Sequence, residues 1–188
     1  MVNYTKNAII QIFMKQLECK SLDKITVKDI IEEADVNRNT FYYHFKDIYD
    51  LIDQIFEEEL RKNLSEMKEE TTFYEEYRKA AAFFLDHKKA IIHIENSKSR
   101  DIMHHYIEEV TEIYVEKFVR KHSQRHKISE EGIKFITYFY SSAIIANTIR
   151  WIQEGMPGYR NKFLKIVSMS FEKTIDCMID NYIVFEKE

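Results

Sequence analysis

Breakers of regular structure are scarce in this 188-residue chain, which has 3 Gly and 1 Pro. A β-sandwich or barrel needs many tight turns, so the scarcity excludes both and favours long helices. Cysteine is almost missing as well. Cys19 and Cys177 lie near opposite ends, neither with a CxxC partner, which removes a disulfide framework and a thiolate zinc site and fits a reducing cytoplasm. Neither sign of charge dominates: 28 Lys/Arg against 32 Asp/Glu leave a net charge of -4. Bulk charge therefore does not point to nucleic acid, although it can hide a local patch. Long hydrophobic runs are also missing. The nearest approach, 135–152, is interrupted by Thr137, Ser141, Ser142, Asn147, Thr148 and Arg150 and falls short of the roughly 20 apolar residues of a membrane span. It reads as a buried helix. The start, Met1 to Lys6, lacks the charged-then-apolar run of a signal peptide, so the expected location is the cytoplasm, with no membrane partner.

Hydrophobic residues make up 45% and aromatics 14%, enough for a true core. The apolar spacing is helical almost throughout. Ile9, Ile12, Phe13 and Leu17 mark a first helix ending near Cys19 and Lys20, followed by a polar turn over 21–24. Thr26 reads as the N-cap of a short second helix, with Asp29 three residues on as a short-armed capping box and Val27, Ile30, Ile31 and Ala34 facing inward. Asp35 and Val36 make the next turn, and Asn37 opens a third helix through about His44. Lys46 and Asp47 end it, and Asp47 can cap a long fourth helix carrying Ile48, Leu51, Ile52, Ile55, Phe56, Leu60, Leu64 and Met67 at helical intervals. The acidic stretch 66–70 with Thr71 and Thr72 is a joint between head and body. Helical segments follow over 73–87, 89–95, 101–122, 130–153 and 159–182. The expected fold is therefore all-α: a three-helix helix-turn-helix head over 1–47 and a larger helical body over 48–188, about nine helices in all.

The head has the chemistry of a major-groove reader. Residues 1–50 hold seven cations and eight acids, so the head is not basic overall. From Val36 to Lys46, however, there are two cations, a histidine and no acid. Asn37, Arg38 and Asn39 stand at the start of the third helix, where side chains reach base edges. Arg can grip O6 and N7 of guanine with two bonds, and Asn can grip N6 and N7 of adenine. Thr40, Tyr42, Tyr43, His44 and Lys46 suit phosphate oxygens, as do Thr26 and Lys28 at the start of the second helix, whose free N–H groups favour an anion. Phe41 and Phe45, spaced i, i+4, read as core anchors instead.

Those same strings, Ile25-Thr26-Val27-Lys28-Asp29-Ile30 and Ala34-Asp35-Val36-Asn37-Arg38-Asn39-Thr40-Phe41-Tyr42-Tyr43-His44-Phe45-Lys46-Asp47, resemble the helix-turn-helix of TetR-family transcriptional regulators. The match covers 8–55, and its Thr-Phe-Tyr-x-His-Phe core is highly specific. The pattern Lys-x-x-x-Lys-Ile-Thr-Val with Arg-x-Thr-Phe-Tyr is similar to the branch that includes the dihydroxyacetone-kinase coactivator type. The resemblance implies phosphate contacts from Thr26, Thr40, Tyr42, His44 and Lys46, and base contacts from Asn37, Arg38, Asn39 and Tyr43. Two positions depart from the pattern. Asp35 stands where the family usually has Gly, in a turn expected to need a left-handed backbone, and Asn39 replaces a common Gly.

One helix-turn-helix offers little interface, so such readers usually dimerise. In the last helix Phe163, Val167, Phe171, Ile175 and Met178 recur at three or four and are the expected homodimer seam, with 135–152 beside it. The resemblance implies a four-helix bundle formed with a second copy, and an effector pocket in the middle helices. His93, Tyr106, Tyr138, Asn147 and Trp151 lie among apolar neighbours and could line such a pocket, or serve as core and surface. His104 and His105 are adjacent and cannot share a metal; His122 and His126 have ligand spacing in a basic run without a nearby carboxylate in sequence, and read as a solvated face. The expected function is a transcriptional regulator binding a double-stranded DNA operator as a dimer, a repressor released by a small-molecule effector, with no cofactor or metal. A coactivator docking on another DNA-bound regulator is the alternative. A helical enzyme is the remaining class, and the sequence has no Gly-rich phosphate loop or Cys–His pair to support it.

Overall fold

A computed structural model describes residues 2–124, 126, 128–157 and 160–187. Among these the chain forms nine α-helices and no strand: α1 Val2–Cys19, α2 Val27–Glu33, α3 Arg38–His44, α4 Ile48–Ser65, α5 Phe73–Asp86, α6 Lys88–Glu95, α7 Arg100–Ser123, α8 Glu130–Gln153 and α9 Arg160–Phe185. The all-α expectation holds, and most limits fall within a residue or two of the spacing. Two local differences have plain causes. The turn after α1 is a 3-10 turn, Leu22–Lys24, built around a buried Leu22. At the other end of the head α4 stops at Ser65, before Met67 and the acidic stretch. No described helix is long and apolar enough to cross a membrane.

The chain groups into two compact units, one of Met1–Ser65 with Phe83–Tyr106, the other of Glu66–Ala82 with Ile107–Glu188. That differs from a division after residue 47. α4 shares the apolar interior of the head, and α1 packs on α6 as well as on α2. His93 of α6 places Nδ1 2.6 Å from the Leu17 carbonyl.

Of the predicted core of the first unit, Ile9, Phe13, Leu17, Ile30, Phe41, Phe45, Leu51 and Ile52 are buried, whereas Ile12, Val27, Ile31 and Ala34 are half-buried. Further along α4, Phe56 stacks on Tyr106 with ring centroids 5.2 Å apart. Asn63 donates to the Tyr106 hydroxyl at 3.2 Å. In the second unit Phe73, Phe118, Tyr140 and Phe171 form an aromatic cluster, with Phe73 and Phe171 centroids 4.7 Å apart. The hydroxyls of Tyr77 and Thr148 meet at 2.7 Å, and burial pushes the Tyr77 phenol up to about 12. α8 and α9 are tightly packed at Gly132, where a Cβ would sit 2.6 Å from the Tyr182 ring and from Ile128. The segment before α5 is tied down by Lys121, which donates to the Glu69 carbonyl at 3.0 Å, and by Lys117, which donates to that of Lys68. Cys19 and Cys177 are free and exposed.

Candidate nucleic-acid interface

A charged lattice on α1 holds α2 in place. Gln16 donates to the Asp29 carbonyl at 3.0 Å and to the Glu33 carboxylate at 2.7 Å. Lys15 pairs with Glu33 at 2.8 Å and Lys20 with Asp29 at 3.0 Å. The hydrogen bond from Lys20, then that from the Thr26 amide, holds the Asp29 carboxyl below its ordinary 3.8. Lys15, then Gln16, does the same for Glu33 below 4.5.

The capping box is present at the start of α2. The Thr26 hydroxyl accepts from the Asp29 amide at 3.2 Å, and the Thr26 amide donates to the Asp29 carboxylate at 3.0 Å. The Thr26 hydroxyl also hydrogen-bonds the Asp29 carboxyl, so a phosphate would compete with Asp29 for its proton. Lys28 is exposed, its ammonium 3.7 Å from Glu32 one turn on, a pair weak enough for DNA to displace. Asp35 follows in the turn with φ 51, the left-handed backbone that its position was expected to need and that Asp tolerates better than most side chains.

α3 then presents two faces. Phe41 and Phe45 are buried and anchor it. Gln54 of α4 reaches back to donate to the His44 carbonyl at 3.2 Å, and Asp47 accepts from the Asp50 amide at 2.8 Å, fixing where α3 stops and α4 begins. The outward side carries Arg38, Asn39, Tyr42 and Tyr43, with Lys46 beyond it, all exposed. Tyr43 is 74% exposed. Arg38 lies over the Tyr42 ring, 5.5 Å from its centroid, and donates to the Tyr42 hydroxyl at 3.3 Å.

Asn37 is the N-cap that the sequence predicts. Its side-chain oxygen accepts from the Thr40 amide at 2.8 Å and from the Thr40 hydroxyl at 3.1 Å. An adenine edge asks for a donor and an acceptor together, and here the acceptor serves as the N-cap. Thr40 correspondingly spends its hydroxyl proton on Asn37. His44 is half-buried, and desolvation, then the charge of Lys6, lowers its imidazole below 6.5. The imidazole is therefore held toward its neutral form. Two contributors were not visible in the sequence. Gln54 acts across ten positions and carries no local signal. Lys6 belongs to α1, yet its ammonium lies 5.8 Å from the Phe45 ring centroid; a cation among apolar helix positions was the available hint.

The family described as bacterial regulatory proteins, tetR family, matches residues 9–55, and the transcriptional regulator C-terminal region of the TetR type matches 71–173, more than half of the chain. The chain belongs to the TetR family. It is a TetR-family transcriptional regulator whose helix-turn-helix is α2 and α3. No curated protein matches it. A similar solved structure is that of the dihydroxyacetone kinase operon activator DhaS, with TM-score 0.75 and 18% identity over 94% of this chain and 96% of that one. At that identity the likeness establishes the shared TetR-like fold.

The remaining predicted residues are distributed as follows among the described elements. Of the expected seam, Phe171 and Ile175 are buried within the unit, while Phe163, Val167 and Met178 are half-buried. Exposed apolar residues on the other side of the two helices include Phe135, Tyr138 and Phe139 of α8, and Ile166 and Met169 of α9. Of the expected pocket, Tyr138 is 70% exposed. His93 and Tyr106 belong to the first unit, and Asn147 and Trp151 share a groove, of about 340 Å³, with Arg150, Glu154, Phe163 and Ile166. There Trp151 stacks flat on Phe163, centroids 5.4 Å apart. Among the described residues no three His, Cys, Asp or Glu could hold a metal ion. His122 and His126 do have carboxylates opposite, contrary to the sequence reading: Asp176 at 2.7 Å and Asp180 at 3.2 Å, both supplied by α9.

Proposed function

We propose that this TetR-family regulator binds a double-stranded DNA operator as a homodimer, reads it with α3, and is a repressor released by a small molecule. The observation that carries the reading is the two-sided α3: Phe41 and Phe45 are sunk in the core, while Arg38, Asn39 and Tyr43 stand in solvent without a neighbouring acid on that helix. Thr26, Lys28, His44 and Lys46 supply the phosphate contacts of this proposal. The decisive experiment is selection of bound duplexes from a random pool. Arg38→Ala is expected to cost about 1–3 kcal/mol and to relax one base position, whereas Lys46→Ala weakens all sequences alike and lowers the salt slope by about one. Equal loss on selected and random DNA for Arg38→Ala would remove its base-reading role.

The dimer part of the proposal moves from the inner stripe of α9 to the outward face of α8 and α9. Phe135 and Phe139 of α8 and Ile166 of α9 are 47%, 51% and 58% exposed, apolar groups along one face that a second copy would cover. Phe139→Glu with Ile166→Glu should leave the chain folded but monomeric by sedimentation and unable to hold the selected duplex. For the effector, the groove at Trp151 and Phe163 has the volume of a small ligand site. Trp151 is the only tryptophan, so its emission reports directly on metabolites that also release the duplex. The similar structure is named an operon activator, which favours activation as the second reading of the sign. A promoter–reporter fusion with and without the regulator separates the two.

A further inference from the structure

We infer that Tyr42 acts on DNA through Arg38: it is the positioning residue that holds the Arg38 guanidinium ready for one guanine, and not an independent phosphate anchor. The inference rests on the DNA-reading proposal above and concerns how that surface gains specificity. Arg38 and Tyr42 stand one helical turn apart, so their side chains meet on the same side of α3. The guanidinium lies over the phenol ring, 5.5 Å from its centroid, and Nη2 donates to the phenol oxygen at 3.3 Å. The ring is itself held from behind. Phe41 meets it edge-on, centroids 5.5 Å apart at 88°, and Phe41 is wholly buried. An otherwise mobile Arg thus has a fixed platform reaching down to the core.

Recognition of guanine needs a planar fork offering two parallel N–H groups. Arg carries five N–H donors; stacking and one bond to Tyr42 orient the plane and leave the others for O6 and N7. Asn37, the neighbour that might have shared the reading, spends its acceptor on the α3 cap. Arg38 then reads beside Asn39 and Tyr43, which also stand in solvent, and the precision of its own contact depends on Tyr42.

The test is a double-mutant cycle on a duplex selected by the wild-type protein from a random pool, its single-base-pair variants, and a random duplex. Tyr42→Leu should lower the preference at the Arg38 base pair about tenfold and Tyr42→Phe, which keeps the ring, about threefold, with affinity for random DNA within about twofold of wild type. On the Arg38→Ala background neither change should have a further effect. Should Tyr42→Leu fail to fold, the cycle with Tyr42→Phe decides alone. Equal weakening on selected and random duplexes, or a Tyr42 effect that persists without Arg38, overturns the inference while leaving DNA reading intact. A wild-type protein that selects no sequence overturns DNA reading itself, and this inference with it.

Discussion

The outer side of α3 and the outward face of α8 and α9 are both solvent-exposed, but they are built on opposite rules. On α3 almost every exposed group is polar, and its geometry is set by neighbours: Asn37 caps it, Gln54 holds its last carbonyl, and Tyr42 holds Arg38. On α8 and α9 the exposed groups include Phe135, Tyr138, Phe139, Ile166 and Met169, and burial is all they ask for. A surface that must read a pattern invests in orientation. One that must exclude water needs only area and shape.

The largest effect should come from confusing the two sides of α9. Phe171→Ala, on the inner side, is expected to cost about 3–5 kcal/mol in chemical denaturation, while Ile166→Ala, on the outer side, should stay within about 0.5 kcal/mol when measured on the dilute chain. Comparable losses at both positions would erase the distinction between the faces. Next is the close approach between the helices. Gly132→Ala must push aside Tyr182 and Ile128, at about 1–3 kcal/mol, and pairing it with Tyr182→Leu should recover part of the lost midpoint. On the head side, Thr26→Ala breaks the capping box and should cost about 1 kcal/mol. Asp35→Ala should be about 1 kcal/mol less stable than Asp35→Gly, because the left-handed backbone at φ 51 suits Gly and not Ala.

The smallest effect is a pH dependence of the lattice between α1 and α2. The Asp29 and Glu33 carboxyls titrate below their ordinary 3.8 and 4.5. A depressed folded pKa means the stabilisation is complete above the unfolded value and disappears as pH falls through the folded one. Thermal midpoints should therefore be flat above about pH 5 and fall below about pH 4, with a shallower fall in Asp29→Asn. Both groups are exposed, so the amplitude is small.

What could be read from the sequence divides along the same line. The caps at Thr26, Asn37 and Asp47 and the turn at Asp35 were legible because each depends on residues within three or four positions. The core anchors Phe41 and Phe45 were legible from their one-turn spacing. The outward side of α9 was not: Phe171 and Ile175 on one side and Ile166 and Met169 on the other are all apolar, so periodicity alone assigns no inside. In α8 the series Phe135, Tyr138, Phe139, Ser142 and Ala146 is a second stripe, exposed along its length, that was hidden in a helix apolar nearly all round. Asp176 and Asp180 meet His122 and His126 across 54 positions, beyond the reach of any local pattern. For a related reason a polar group among apolar neighbours in sequence has no fixed neighbours in space: Asn147 and Trp151 share a groove, while Tyr138 stands in solvent.

The two cysteines, each free and exposed, happen to sit one in each compact unit. Cys19 closes α1 in the head, and Cys177 lies about three turns beyond Ile166 on the same side of α9. The chain thus contains a built-in ratiometric gauge. A thiol-alkylating probe followed by peptide mass analysis gives two modification rates from one tube, with Cys19 as the internal standard. Self-association through the outward face of α9 would shield Cys177 and leave Cys19 reactive, so the assembly state could be followed at nanomolar protein, on DNA or off it, without introducing a label.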